Sequence, residues 1–161
     1  MVNEKLEIYS VCQIANYFIQ EGKGKFNHTQ LQKLCYISQG ITLALLDKFL
    51  FYEEIKAWQY GPVIPELYSK LKPDNPNSTV SIKNKIPNNE IPNFNEYIKK
   101  ILDFVFNHYG KYTAGQLTNL THEKDTPWYK VWNKEEWSTI PPNLIQDYYK
   151  ARLENANNQQ K

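Results

Sequence analysis

Residues 29–46, Thr-Gln-Leu-Gln-Lys-Leu-Cys-Tyr-Ile-Ser-Gln-Gly-Ile-Thr-Leu-Ala-Leu-Leu, constrain the fold more than any other stretch. Leu31, Leu34, Cys35, Ser38, Ile41, Ala44 and Leu45 recur at i, i+3 and i+4, the spacing of one helical face. Tyr36, Ile37, Leu43 and Leu46 widen that face until most of the circumference is apolar. A helix of this kind has to be surrounded by other elements. The stretch therefore predicts a central helix over 29–46, with Gln32 and Lys33 as its polar exceptions. Thr29 and Gln32 have the capping-box spacing that marks a helix start.

The remaining elements are organised by similar punctuation. Ser10 and Gln13 form a second capping box, and Val11, Ile14, Ala15, Phe18 and Ile19 give a helix over 10–20 that Gly22 and Gly24 end. Ile55 and Ala57 alternate with Lys56 and Trp58, the pattern of a short strand, and Gly61-Pro62 reads as a break. A short helix follows over 63–71, with Pro65 in its first turn. Residues 72–95 hold Pro73, Pro76, Pro87 and Pro92 among many Asn and read as a long polar loop, with one short strand over 79–83. Helices are expected over 95–108, 114–120 (behind a Thr113/Gln116 capping box) and 127–132, where Thr126 caps and Pro127 occupies the first turn. A last helix runs from Pro141-Pro142 to about Leu153. The expected fold is mainly α: a single compact helical domain over 1–154 with a central buried helix, and a short β-hairpin or strand pair near 50–60 and 79–83. Residues 155–161 read as a frayed tail.

Composition removes several function classes. The chain of 161 residues carries a net charge of +2, and its basic residues are eighteen Lys and a single Arg, Arg152. Arginine supplies most bidentate recognition of bases and phosphates, so specific nucleic-acid reading is not expected. No apolar run approaches the roughly 18 residues of a membrane helix, and the N-terminus lacks a signal-peptide profile, which predicts a soluble cytoplasmic protein. Cys12 and Cys35 have no C-x-x-C neighbour and sit on apolar helical faces, so both are expected to be buried, reduced and structural.

Residues with chemical potential are few. No phosphate-cradling loop, dinucleotide fingerprint, zinc-protease motif or nucleophile elbow is present. No cofactor or metal is implied, because His28, His108 and His122 share no ligand spacing. His122-Glu123-Lys124-Asp125 is the one dense cluster of catalytic residue types, and a hydrolase or nuclease would use His122 as base beside Glu123 or Asp125. The same residues also suit a solvated loop between helices. Trp58, Tyr60, Pro62 and Trp128 place large amphipathic groups at turns, where such residues anchor binding surfaces or cover the ends of a helical core.

Three strings carry a family resemblance. Leu31-Gln32-Lys33-Leu34-Cys35-Tyr36 followed by Gly40 is similar to an "LQKLxY" helix. Ile55 to Tyr68 resembles an "xAWxYGPVxPxxY" block. Leu117-Thr118-Asn119-Leu120-Thr121-His122, followed by Pro127-Trp128, resembles an "LSxLTH…PW" end. Order and spacing agree over about residues 8–132 with the Panacea domain family, which includes phage-associated GepA-like proteins and SocA-type antitoxins. The resemblance implies a mainly helical antitoxin that neutralises a co-encoded toxin by direct binding. In some members it also implies an adaptor that hands the toxin to a bacterial protease. It makes Lys33, Tyr36, Trp58, Tyr60, Pro62, Glu66, His122 and Trp128 the residues of interest. They either form a shared pocket with Lys33 and Glu66 as charged partners, or brace the fold beneath a variable binding surface. The runner-up is the His122 hydrolase. A weaker alternative is a phage regulator that binds nucleic acid through its lysines.

Overall fold

A computed structural model describes residues 7–159. Its element order is α1 (Val11–Glu21), α2 (His28–Leu46), β1 (Lys56–Trp58), β2 (Gly61–Val63), α3 (Pro65–Leu71), α4 (Glu96–Tyr109), α5 (Ala114–His122), α6 (Pro127–Lys134) and α7 (Pro142–Gln159). The protein is mainly α, with seven helices and one two-stranded antiparallel sheet among the described residues.

Helix α2 is the hub, packed against α1, α3, α4, α5, α7 and β2. Leu31, Leu34, Cys35, Tyr36, Ile37, Ile41 and Leu43 are all buried, as the all-round apolar pattern requires. Its start differs from expectation. Asn27 caps the helix in a capping box with Gln30, so the box lies two residues upstream of the Thr29/Gln32 pair. Gln32 is engaged elsewhere: its side chain accepts from the Ile64 N–H at 2.9 Å and donates to the Ile64 carbonyl at 3.1 Å. Gln39 does the same for another connection, accepting from Leu50 N–H and donating to the Phe51 carbonyl. These buried amides satisfy the backbone of segments that cross α2 and have no regular partner there.

The boxes at Ser10/Gln13 and Thr113/Gln116 form as expected, as does the Thr126 cap ahead of Pro127. Helix α7 extends past Leu153 to Gln159. Gly40 of α2 lies against the Tyr149 ring of α7, and a methyl group at position 40 would collide with it.

The β structure is placed differently from the sequence expectation. The partner of β1 is β2, with Ala57 opposite Pro62 and Trp58 opposite Gly61; it is not residues 79–83. Gly61-Pro62, read as a break, is itself a strand. Glycine permits the φ of +118° at position 61. Pro62 has no N–H to give a ladder, which an edge strand tolerates. Residues 79–83 contribute only a single bridge, Asn27 to Ser81, with Ile82 N–H donating to the Phe26 carbonyl. The long connection is pinned to the body. Asn16 of α1 donates to the Ile86 and Asn89 carbonyls and accepts from Ile86 N–H at 2.7 Å.

Candidate functional site

The site is built around the β1–β2 hairpin. On one side, residues 137–140 run along β1: Ala57 N–H donates to the Ser138 carbonyl, Trp137 N–H to the Ala57 carbonyl and Ile140 N–H to the Ile55 carbonyl. On the other side, α2 presents Lys33. Its ammonium donates to the Pro62 carbonyl at 2.9 Å and lies beneath Gly61, where a Cβ would come within 3.1 Å of Nζ. Lys33 is 2% exposed and forms no ion pair among the described residues; both salt bridges there, Lys99–Asp103 and Lys100–Glu96, lie on α4. Burial lowers its pKa from the ordinary 10.5 to about 7.

A cavity of about 500 Å³ opens in front of the hairpin. Its walls come from the first turns of α2 and α5, the hairpin, Tyr68 of α3, residues 76–79 of the long connection, and Trp137. That volume lies in the range of small-ligand pockets. Apolar contact comes chiefly from Trp58, Val63, Tyr68 and Trp137. Polar groups come from His28, Lys33, Thr118 and Asn119. His28 is buried against Tyr68, their ring centroids 5.8 Å apart, and leaves Nδ1 without a partner. Desolvation lowers its pKa, opposed in part by the nearby Pro76 backbone.

An arc of aromatic rings borders this cavity. Tyr68 meets Trp58 at 5.3 Å, Trp58 meets Trp137 at 6.2 Å, Trp137 meets Trp132 at 5.4 Å, and Trp132 stacks on Trp128 at 5.5 Å. His122 lies over Trp128 at 5.3 Å. The Trp128 N–H donates to the Trp58 carbonyl at 2.6 Å.

The structure separates the sequence-derived residues into groups. Lys33, Trp58 and Tyr60 share the cavity. Pro62 offers its carbonyl to Lys33 from behind. Trp128 of α6 bonds the Trp58 carbonyl of the hairpin, and His122 at the end of α5 packs on the Trp128 ring. Tyr36 is buried on another side of α2, against Tyr149, with its hydroxyl unpartnered. Glu66 is exposed on the first turn of α3 and does not pair with Lys33, whose partner is a carbonyl. His122 makes no hydrogen bond to Glu123 or Asp125 among the described contacts, because Glu123 leaves the helix in an extended conformation and Asp125 turns at φ +70°. Among the described residues no group of three or more His, Cys, Asp or Glu is placed to hold a metal ion, and no helix is long and apolar enough to cross a membrane.

His28, Tyr68 and Trp137 were not among the expected site residues. Trp137 sits in an aperiodic stretch, Glu-Glu-Trp-Ser, where an isolated indole behind two acidic residues was the one available signal.

A family model described as antitoxin SocA-like, Panacea domain, matches residues 31–129, more than half of the chain. No curated protein and no solved structure matches it. The matched span runs from the first turn of α2 to that of α6 and contains Lys33, the whole hairpin, α5 and Trp128. On that match, the chain belongs to the SocA-like antitoxin family, as a Panacea domain.

Proposed function

We propose that this protein neutralises a co-encoded bacterial or prophage toxin in the cytoplasm by binding it directly and stoichiometrically, through the face on which the hairpin and residue 137 rim the cavity. The observation that carries this reading is the exposure of two large rings on one rim: Tyr60 is 48% and Trp137 53% exposed. Single exposed rings are ordinary. Two beside a concave, aromatic-lined opening have the make-up of an interface centre, where Trp and Tyr anchors dominate binding. Glu66 adds an exposed charge on α3, which follows the hairpin directly. Lys33, Pro62, Trp128 and His122 hold the hairpin in position on this reading and do not touch the toxin. Delivery of the bound toxin to a cellular protease is a further step that the family membership suggests.

The test is a growth-rescue titration against the toxin encoded next to this gene, followed by inhibition with purified components and no protease. Tyr60→Ala and Trp137→Ala should each weaken the complex by about 2 kcal/mol or more, the size of an interface anchor. Glu66→Lys should weaken rescue, and His122→Ala should preserve it. Sub-stoichiometric inactivation by the purified protein, abolished by His122→Ala, would overturn sequestration in favour of catalysis.

A further inference from the structure

Positive charge is gathered at one end of the molecule. Three segments meet there: the end of α1 with the turn to α2 (20–27), residues 81–85 of the long connection, and the turn between α4 and α5 (110–113). Asn27 bridges Ser81, Ile82 N–H donates to the Phe26 carbonyl at 2.7 Å, and Ser81 Oγ donates to the Lys25 carbonyl at 3.2 Å. A Cβ at Gly24 would lie 3.1 Å from Lys83 Cα, and one at Gly110 would lie 3.5 Å from the Phe26 ring. Together the segments expose Lys23, Lys25, Lys83, Lys85 and Lys111, with Glu21 as their one acidic residue. That local excess is larger than the net charge of +2 on the whole chain.

Three of these lysines are steadied by neutral partners, which leave their charge in place. Lys25 Nζ lies 5.6 Å from the Phe26 ring centroid and 6.0 Å from that of Phe106. Lys111 Nζ lies 5.8 Å from the Tyr112 centroid, and Lys85 Nζ donates to the Gln20 side-chain carbonyl at 2.9 Å. Neither of the two ion pairs among the described residues involves any of the five. An open hollow of about 250 Å³ is lined by both Lys25 and Lys111. A series of rings continues from it: Tyr112 meets Tyr109 at 6.1 Å, Tyr109 meets His108 at 4.7 Å, and His108 stacks on Phe104 at 5.3 Å with the planes 8° apart. Phe104 is 46% exposed, and His108 is exposed beside it. Unneutralised lysines next to exposed flat rings are the two components that hold single-stranded nucleic acid, charge following the phosphates and bases stacking on the rings.

We propose that this end of the protein binds single-stranded nucleic acid without reading its sequence, the phosphates following the five lysines and a base stacking on the Phe104–His108 pair. Lysine presents a point charge, not the planar fork that reads base edges, and the chain's one arginine lies on α7. An acidic protein or an anionic membrane would meet the charge but has no run of flat groups spaced with its anions. A duplex keeps its bases stacked inside and leaves the rings unused. Tyr60 and Trp137 do not line the hollow, so the surface is separate from the rim proposed for the toxin and its test needs no toxin.

Fluorescence anisotropy of labelled oligomers of about 20 nucleotides, titrated with the full-length protein, provides the readout. Single strands of unrelated sequence, as DNA and as RNA, should bind alike, with Kd of about 10⁻⁶–10⁻⁴ M at about 50 mM salt, and more tightly than the same sequence as a duplex. The logarithm of affinity should fall against the logarithm of salt with a slope of about −0.7 per neutralised phosphate, near −3.5 for five lysines. Lys25→Gln, Lys83→Gln and Lys111→Gln combined should make that slope shallower by about 2 and weaken binding at least about tenfold. All three side chains are exposed, so thermal stability should be kept. Phe104→Ala should weaken single-strand binding about fivefold or more, the loss of one stacked base, and leave duplex binding unchanged. Tyr60→Ala and Trp137→Ala should bind the oligomers as the native protein does. The proposal is overturned if anisotropy does not change up to about 100 µM protein, if the triple variant keeps native affinity, or if Phe104→Ala binds single strands as well as the native chain. It is also overturned if a duplex binds as tightly as a single strand, or if polyglutamate or phosphatidylglycerol vesicles displace the oligomer at equal charge, which would make the partner an acidic protein or a membrane.

Discussion

The indole N–H of Trp128 donates to the backbone carbonyl of Trp58 across 2.6 Å, tying the first turn of α6 to the last residue of β1. A two-stranded hairpin is marginal by itself. This one is held from three directions, by Trp128, by the Lys33 ammonium and by residues 137–140. The cavity wall is consequently a braced surface.

Trp128→Phe keeps a ring against Trp132 and His122 but removes the donor. The Trp58 carbonyl then loses its partner, a change that costs about 1–3 kcal/mol. Chemical denaturation should register that loss. An unchanged midpoint would show that the hairpin does not depend on this bond.

Lys33 makes stability depend on pH. The folded protein releases the Lys33 proton near pH 7, and the unfolded chain releases it near 10.5. Between those values the unfolded state binds more protons, so stability rises as pH increases from about 7 towards 10. Below pH 7 both states are protonated and the cost of burying the charge is present in full. Denaturation midpoints should increase over this window in the native protein, and Lys33→Met should flatten the increase.

The central position of α2 predicts a large effect for Leu34→Ala. Leu34 is fully buried in the main core cluster. Truncation should cost about 2–5 kcal/mol, read as a lowered thermal midpoint. A midpoint within error of the native one would make α2 peripheral.

Cys12 and Cys35 are both buried and unpaired. Desolvation, with some contribution from Glu53 and Glu66, raises the Cys12 thiol to about 11, and complete burial pushes Cys35 well above its ordinary range. Labelling with a thiol reagent at neutral pH should be slow in native buffer and become fast in denaturant. Rapid native labelling would place one of the thiols at the surface.

Local signals located the helices well. Capping residues and apolar periodicity found α1, α4, α5 and α6 to within about two residues, because those elements begin where a side chain satisfies a free N–H. The start of α2 was displaced because two capping pairs overlap there, and the deciding fact is non-local: Gln32 is committed to Ile64. The hairpin was half legible. Alternation marked β1, but Gly61-Pro62 has the composition of a turn and becomes a strand only because Ala57 lies opposite and Lys33 takes the outward carbonyl. Lys33, Trp58 and Tyr60, singled out by their motif strings, line the cavity. Trp137 and His28 were not singled out, since each enters the site through contacts formed only on folding.

The chain has four tryptophans, and the aromatic arc contains all of them: Trp58, Trp128, Trp132 and Trp137. Its ultraviolet emission therefore originates from one patch, with centroid separations short enough for excitation to pass between indoles. Fluorescence follows the hairpin, α6 and the cavity rim, while α1 and α4 contribute no indole to it. A melt followed by emission and one followed by helical circular dichroism watch different halves of the molecule. Coincidence of the two curves would show that the rim and the helical hub unfold as one cooperative unit.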